Sequence, residues 1–203
     1  MSQAGDIKSE YLAVFGNLDK FQGFSFNNKR SLQSPLPPRS DCIDCSEIFR
    51  TREQHVTYFP KMKIVLPSNE PFLTGFLQGK AGDKASLNCY TRLNDNKIPC
   101  LPSMAFFLDA LSPPILNLRR SKWIPTMEYT VNFWSKPNIS NPIEEEDYWV
   151  QERLETLFSK NGILHIDSEI WSADGKTLLA TSRQMARLME MKDKAATPSS
   201  TSS

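Results

Sequence analysis

Histidine is scarce in this chain: His55 and His165 are the only two among 203 residues. A histidine-dependent catalytic triad has little to draw on, and the GxSxG elbow that presents a serine nucleophile is missing as well. Glycine is sparse too, at 8 residues. Gly75, Gly79 and Gly82 fall in neither GxGxxG nor P-loop spacing, which removes the common phosphate cradles. No run of about 18 apolar residues offers a membrane-spanning helix. Neither sign of charge dominates: 24 Lys and Arg stand against 23 Asp and Glu, so no net field draws the chain to nucleic acid or to an anionic membrane. The opening MSQAGDIKSE lacks the basic start and apolar stretch of a secretory signal, and the closing Ser-Thr-Ser-Ser is no peroxisomal address. The expectation is a cytoplasmic protein.

Cysteine is limited to Cys42, Cys45, Cys89 and Cys100. The first two form a CxxC pair, but the other two do not repeat its spacing, and only the two histidines could complete a metal site. Reduced, partly buried thiols are the better reading than structural zinc, and no metal or cofactor is expected.

What the chain does have is enough apolar and aromatic material for one core, with 39% hydrophobic and 10% aromatic residues. Residues 1–10 are polar and read as frayed, and residues 11–15 (YLAVF) are a short strand candidate. The stretch 31–46, with Pro35, Pro37 and Pro38, reads as an extended linker or surface arm. Residues 56–66 mix β-branched and aromatic side chains around Pro60, the pattern of an interrupted or edge strand. Strands are expected over 72–78 and 85–93. Residues 99–111 then read as a helix apolar almost all round, capped by Ser103, stopped by Pro113 and Pro114, and therefore buried. Strands follow over 126–133, 148–158, 162–171 and 177–188, with a hairpin turn at Ser172-Ala-Asp-Gly175. This divides the chain into an N-terminal arm and linker (1–55), a folded domain (56–190) and a disordered tail (191–203).

Two polar residues stand out against the pattern. On the last strand, Leu178, Ala180, Ser182, Gln184, Ala186 and Leu188 share one face, which its small and apolar members mark as inward. Gln184 therefore needs partners, since a buried amide left unpaired costs about 1–3 kcal/mol. A satisfied structural amide is the plain explanation. Asp109 lies near the end of the apolar helix, where the macrodipole disfavours an anion. It is either solvent-facing or buried with a raised pKa suited to a general base.

The segments that carry these residues resemble a known family. They are residues 102–114 (PSMAFFLDALSPP), 123–133 (WIPTMEYTVNF), 171–175 (WSADG) and 179–184 (LATSRQ). In order and spacing they are similar to the C-terminal hot-dog domain of the TesB-like double hot-dog acyl-CoA thioesterases, over about residues 70–190. The resemblance implies an α+β hot-dog fold, an antiparallel sheet wrapped around a central helix. It implies a water-orienting set in which Asp109 is the helix carboxylate, Thr126 the strand hydroxyl and Gln184 the last-strand amide. Parity along residues 126–133 sets Thr126 with Glu128, Thr130 and Asn132, away from Met127, Tyr129, Val131 and Phe133, unless a kink after Pro125 re-aims it; Thr130 is the fallback. The family carries two hot-dog domains per chain. Here residues 11–26 resemble only the exit of the first, so the arm reads as its remnant, and a homodimer would restore a groove.

The expected function is hydrolysis of acyl-CoA or a related acyl thioester, in lipid or secondary metabolism. The alternative is a catalytically impaired hot-dog protein that binds acyl groups or a partner subunit. Dehydration of a 3-hydroxyacyl thioester ranks below both, because His165 falls on the polar face of its strand and His55 precedes the domain.

Overall fold

The structure, a computed structural model, describes residues 2–3, 6–7, 10–14, 36–52, 57–73, 84–118 and 124–189. The expected tail (191–203), the first residues of the linker (31–35) and most of the expected strand over 72–78 lie outside them. The short strands β1 (Ser2–Gln3) and β2 (Asp6–Ile7) pair only with each other. Residues 10–14 form no strand: Tyr11, Leu12 and Val14 are exposed, which corrects the strand expected there.

Seven further strands build one antiparallel sheet: β3 (Cys42–Asp44), β4 (Met62–Pro67), β5 (Ser86–Leu93), β6 (Thr126–Phe133), β7 (Val150–Lys160), β8 (Ile163–Ser172) and β9 (Leu178–Arg187). Their spatial order is β3-β4-β5-β7-β8-β9-β6. The chain thus returns β6 to the far edge, beside the last strand. The β7–β8 hairpin closes through Asn161 and Gly162, both at positive φ, as a tight antiparallel connection requires. The β8–β9 hairpin turns where expected, with Gly175 at φ +69° and its N–H donating to the Ser172 carbonyl at 2.8 Å.

The helix α2 (Leu101–Ala110) lies on the inner face of this sheet. Its first turn holds Pro102, and the Ser103 hydroxyl accepts the Cys100 N–H at 2.7 Å, so Ser103 closes the helix start from inside the first turn while Cys100 is the cap residue. Met104, Phe107 and Leu108 face down onto Leu87 and Cys89 of β5, Val150 and Leu154 of β7, Ile170 of β8 and Ala180 of β9. These apolar inner faces and the buried helix stripe need each other, since neither is covered alone. The helix is not buried all round: Leu101 and Asp109 are exposed on its open flank.

Other expectations are corrected. The strand after Pro60 is interrupted as read, with a 3₁₀ turn at Phe59–Lys61, but it is no edge: β4 pairs with β3 on one side and β5 on the other. Residues 42–52, assigned to the arm, belong to the packed unit. Cys42–Asp44 is the edge strand, and Phe49 of α1 (Ser46–Arg52) packs against Phe59 and Phe72 at ring-centroid distances of 5.4 and 6.1 Å. Phe72 and Leu73 sit in a helical turn rather than a strand. At the start of β9 a register shift opposite Ile170 and Trp171 brings Leu179, not Leu178, into the core. The CxxC pair is split by strand geometry. Cys45 is buried in the main core, where burial pushes its thiol up to about 11, while Cys42 packs on the outer face near Tyr90 and Trp149.

One carboxylate inside the core is unexpected. Glu152 of β7 is 1% exposed, directly opposite Cys89, and its only hydrogen bond among the described residues is a long one from the Thr91 hydroxyl at 3.4 Å. Burial raises its pKa well above the usual carboxylate value, and the Thr91 contact offsets this only in part. A raised folded-state pKa means that the stability of the neutral form is fully present below the unfolded value and is lost as pH rises through the folded value. Glu152→Gln is therefore expected to raise the melting temperature at pH 8 by about 2–4 °C, the shift that roughly 1 kcal/mol produces in a domain of this size, and to change it little at pH 4. Circular-dichroism melts at the two pH values check this.

Candidate active site

Three elements converge at one end of α2. Helix periodicity turns Asp109, in the penultimate position, away from the buried stripe of Met104, Phe107 and Leu108 and toward the edge of the sheet. On β9, alternation sets Gln184 on the same inner face as Ala180, Ser182 and Ala186, which are all buried. Because β9 is the inner neighbour of the edge strand β6, Gln184 lies directly opposite Tyr129.

Thr126 reaches this group through a bulge. In the β6–β9 ladder Thr126 pairs with Ala186 and Glu128 with Met185, so Met127 is the extra residue. The insertion reverses the parity read from the sequence: Thr126 joins the inner face of Tyr129, Val131 and Phe133, and Met127 turns outward at 56% exposure. Thr130, the fallback, lies opposite the outward-facing Arg183 and takes no part.

The geometry is compact. Gln184 Nε2 donates to Asp109 Oδ1 at 3.0 Å and to Thr126 Oγ1 at 2.5 Å. Both amide hydrogens are thereby used, which leaves the Gln184 carbonyl oxygen, the second Asp109 oxygen and the Thr126 hydroxyl hydrogen to engage a water or substrate. Burial of the carboxyl against the sheet raises the Asp109 pKa, and the Gln184 hydrogen bond works in the opposite direction. Of the two positions the sequence left open for Asp109, the solvent-facing one is taken, with its pKa raised all the same. Asp109 and Thr126 are exposed and Gln184 is half-buried, because the sheet covers only one flank of α2 and ends at β6. The group is held from below and open from above.

Residues 43–188 match the family described as the acyl-CoA thioesterase C-terminal domain. The chain belongs to this family. No curated protein matches it. Among solved structures, this thioesterase-family chain is similar to a conserved hot-dog protein of unknown function from Alicyclobacillus acidocaldarius, at 18% identity and a TM-score of 0.62, over 83% of this chain and 58% of that one. A thioesterase II candidate from Thermobifida fusca gives 19% identity and a TM-score of 0.57, over 78% of this chain and 54% of the other. These likenesses establish the hot-dog fold. The chain spans little more than half the length of these two structures.

Within this thioesterase domain, His165 stacks on Phe158 at 4.5 Å on the outer face and contributes nothing to the group around Asp109. Among the described residues no cluster of His, Cys, Asp and Glu could hold a metal ion. Sequence reading passed over Glu152, although alternation with Val150 and Leu154 already places it inward. It allowed Thr126 to be re-aimed by a kink after Pro125; the structure does so with a bulge at Met127, which the polarity of residues 127–128 does not signal.

Removal of the Gln184 amide deletes the one contact that lowers the Asp109 pKa. Gln184→Ala should therefore move the Asp109 carboxyl titration to higher pH, as followed by carbon-13 NMR. An unchanged midpoint would mean that the amide does not hold the carboxylate in solution.

Proposed function

We propose that this chain hydrolyses acyl-CoA or a related acyl thioester by direct attack of an activated water. The observation that carries the reading is the Gln184 carboxamide, which joins Asp109 and Thr126 into one unit at an open surface. A thioester needs no metal for hydrolysis. A carboxylate with a raised pKa accepts a proton from the water, while the amide oxygen and the hydroxyl hold the water in line with the acyl carbon. Asp109 is the general base, and Gln184 and Thr126 orient its water.

Asp109→Asn keeps the shape and removes the base, and is expected to lower kcat by about 100-fold or more; Gln184→Ala and Thr126→Val should lower it by about tenfold or more. The assay is CoA release from acyl-CoAs of increasing chain length. Activity requires ionised Asp109, so kcat/KM should rise with pH through its raised pKa, with the acid limb above the ordinary aspartate value of 3.8. Wild-type turnover equal to Asp109→Asn and to the uncatalysed rate would leave the second reading, a hot-dog domain that binds acyl groups or a partner without hydrolysis.

The same site favours assembly of two domains. Among the described residues edge strand β6 has an unpaired side, and the flank of α2 beside it exposes Asp109 and Leu101. A second hot-dog domain laid against this edge would close the groove over the acyl chain, and the half-length match to relatives fits that need. For this chain alone the expected arrangement is a homodimer, which sedimentation equilibrium reads directly. A monomer active on long-chain substrates would contradict it. Four free cysteines fit a reducing compartment such as the cytoplasm, and no helix among the described residues is long and apolar enough to cross a membrane.

A further inference from the structure

Two tyrosine hydroxyls grip the last turns of α2, and they differ in what they attach the helix to. Tyr129 of β6 donates to the Ala105 carbonyl at 3.2 Å. Tyr58, from the turn before β4, donates to the Ala110 carbonyl at 2.9 Å and packs edge-on against Phe106. In α-helical geometry the Ala105 carbonyl is also the acceptor for the Asp109 N–H, four residues on. Tyr129 in turn lies directly opposite Gln184 in the β6–β9 ladder. One hydroxyl therefore connects the backbone turn that carries the carboxylate to the strand pair that carries the amide and Thr126.

We propose that Tyr129 is a positioning residue for the water-activating group. Its hydroxyl fixes the height of the Asp109 turn above β6 and β9, and so sets the 3.0 Å contact between Asp109 and Gln184. This rests on the hydrolase reading for its catalytic consequence, but not for its structural content. The Gln184–Asp109 contact is a side-chain bond at an open surface. Without a second tie the helix end could ride up or down against the sheet edge, and misplacement of a general base by about 1 Å costs up to about 100-fold in rate. Tyr58 holds the same helix at the Ala110 carbonyl from the turn before β4, so it ties the helix end to a different part of the fold. The titratable groups that face the contact are Asp109 on α2, Tyr129 on β6 and Glu152 on β7. Burial first, then Asp109 and to a smaller extent Glu152, push the Tyr129 phenol upward against an opposing Ser182 hydrogen bond, so it stays protonated and a donor throughout the working pH range.

The test compares wild type, Tyr129→Phe and Tyr58→Phe as full chains. Two readouts are taken: steady-state hydrolysis of octanoyl-CoA, and the carbon-13 titration of the Asp109 carboxyl. Tyr129→Phe should lower kcat by about tenfold or more with KM within about twofold, and should move the Asp109 midpoint upward because the Gln184 bond loosens. Tyr58→Phe should lower the melting temperature, yet keep kcat within about twofold and leave the Asp109 midpoint in place. The proposal is overturned if Tyr129→Phe matches wild type in both readouts, or if Tyr58→Phe shifts both as far as Tyr129→Phe does, since the effect would then be general helix stability. Absence of octanoyl-CoA turnover in wild type would count against the hydrolase reading. The titration would then decide the positioning role alone, an upward shift confined to Tyr129→Phe supporting it and no shift overturning it.

Discussion

The group proposed as the active site depends on one carboxamide with both of its hydrogens committed. Gln184 donates to a carboxylate on a helix and to a hydroxyl on an edge strand. An ester or a carboxylate in its place could not do both, because neither offers two donors in a fixed plane. The arrangement needs three independent pieces of the fold. The chain must carry β6 across to lie beside β9; the Met127 bulge must turn Thr126 inward; and α2 must end above the point where the two strands meet. Failure of any one would leave the amide with an unpaired donor at the rim of the core.

Two carboxylates in the same domain show how position decides chemistry. Asp109 and Glu152 both have pKa values raised mainly by burial. Asp109 faces an open flank and keeps an oxygen free for solvent or substrate, so it can gain and lose a proton during a reaction. Glu152 is buried on β7 opposite Cys89, with only Thr91 as a hydrogen-bond donor among the described residues. It resists ionisation, and at 1% exposure it has almost no contact with solvent. The first suits the proposed chemistry, whereas the second costs the protein stability at neutral pH.

The open flank also explains why a domain of this family resembles half of a larger body. A hot-dog sheet covers its helix from below and from one side, and the remaining side must meet solvent or a second domain. In this chain that side carries Asp109, Thr126 and the unpaired edge of β6 together. In the proposed reading, substrate access and assembly therefore use the same surface.

Much of this was legible in the residues alone. Alternation in β8 and β9 placed Leu164, Ile166, Ser168, Ile170 and Gln184 on one face, and the tight turn at residues 172–175 set the hairpin between them. The apolar run ending at the paired prolines located α2 and put Asp109 near its end. Those features are local: they follow from side-chain period, turn chemistry and proline geometry, which act within a few residues. The parity of Thr126, the exposure of Asp109, the inclusion of residues 42–52 in the sheet and the burial of Glu152 were decided only by tertiary structure. A bulge depends on the partner strand, exposure on what ends beside a residue, and pairing of a three-residue edge strand on a neighbour twenty positions away. None of these is a property of the segment that displays it.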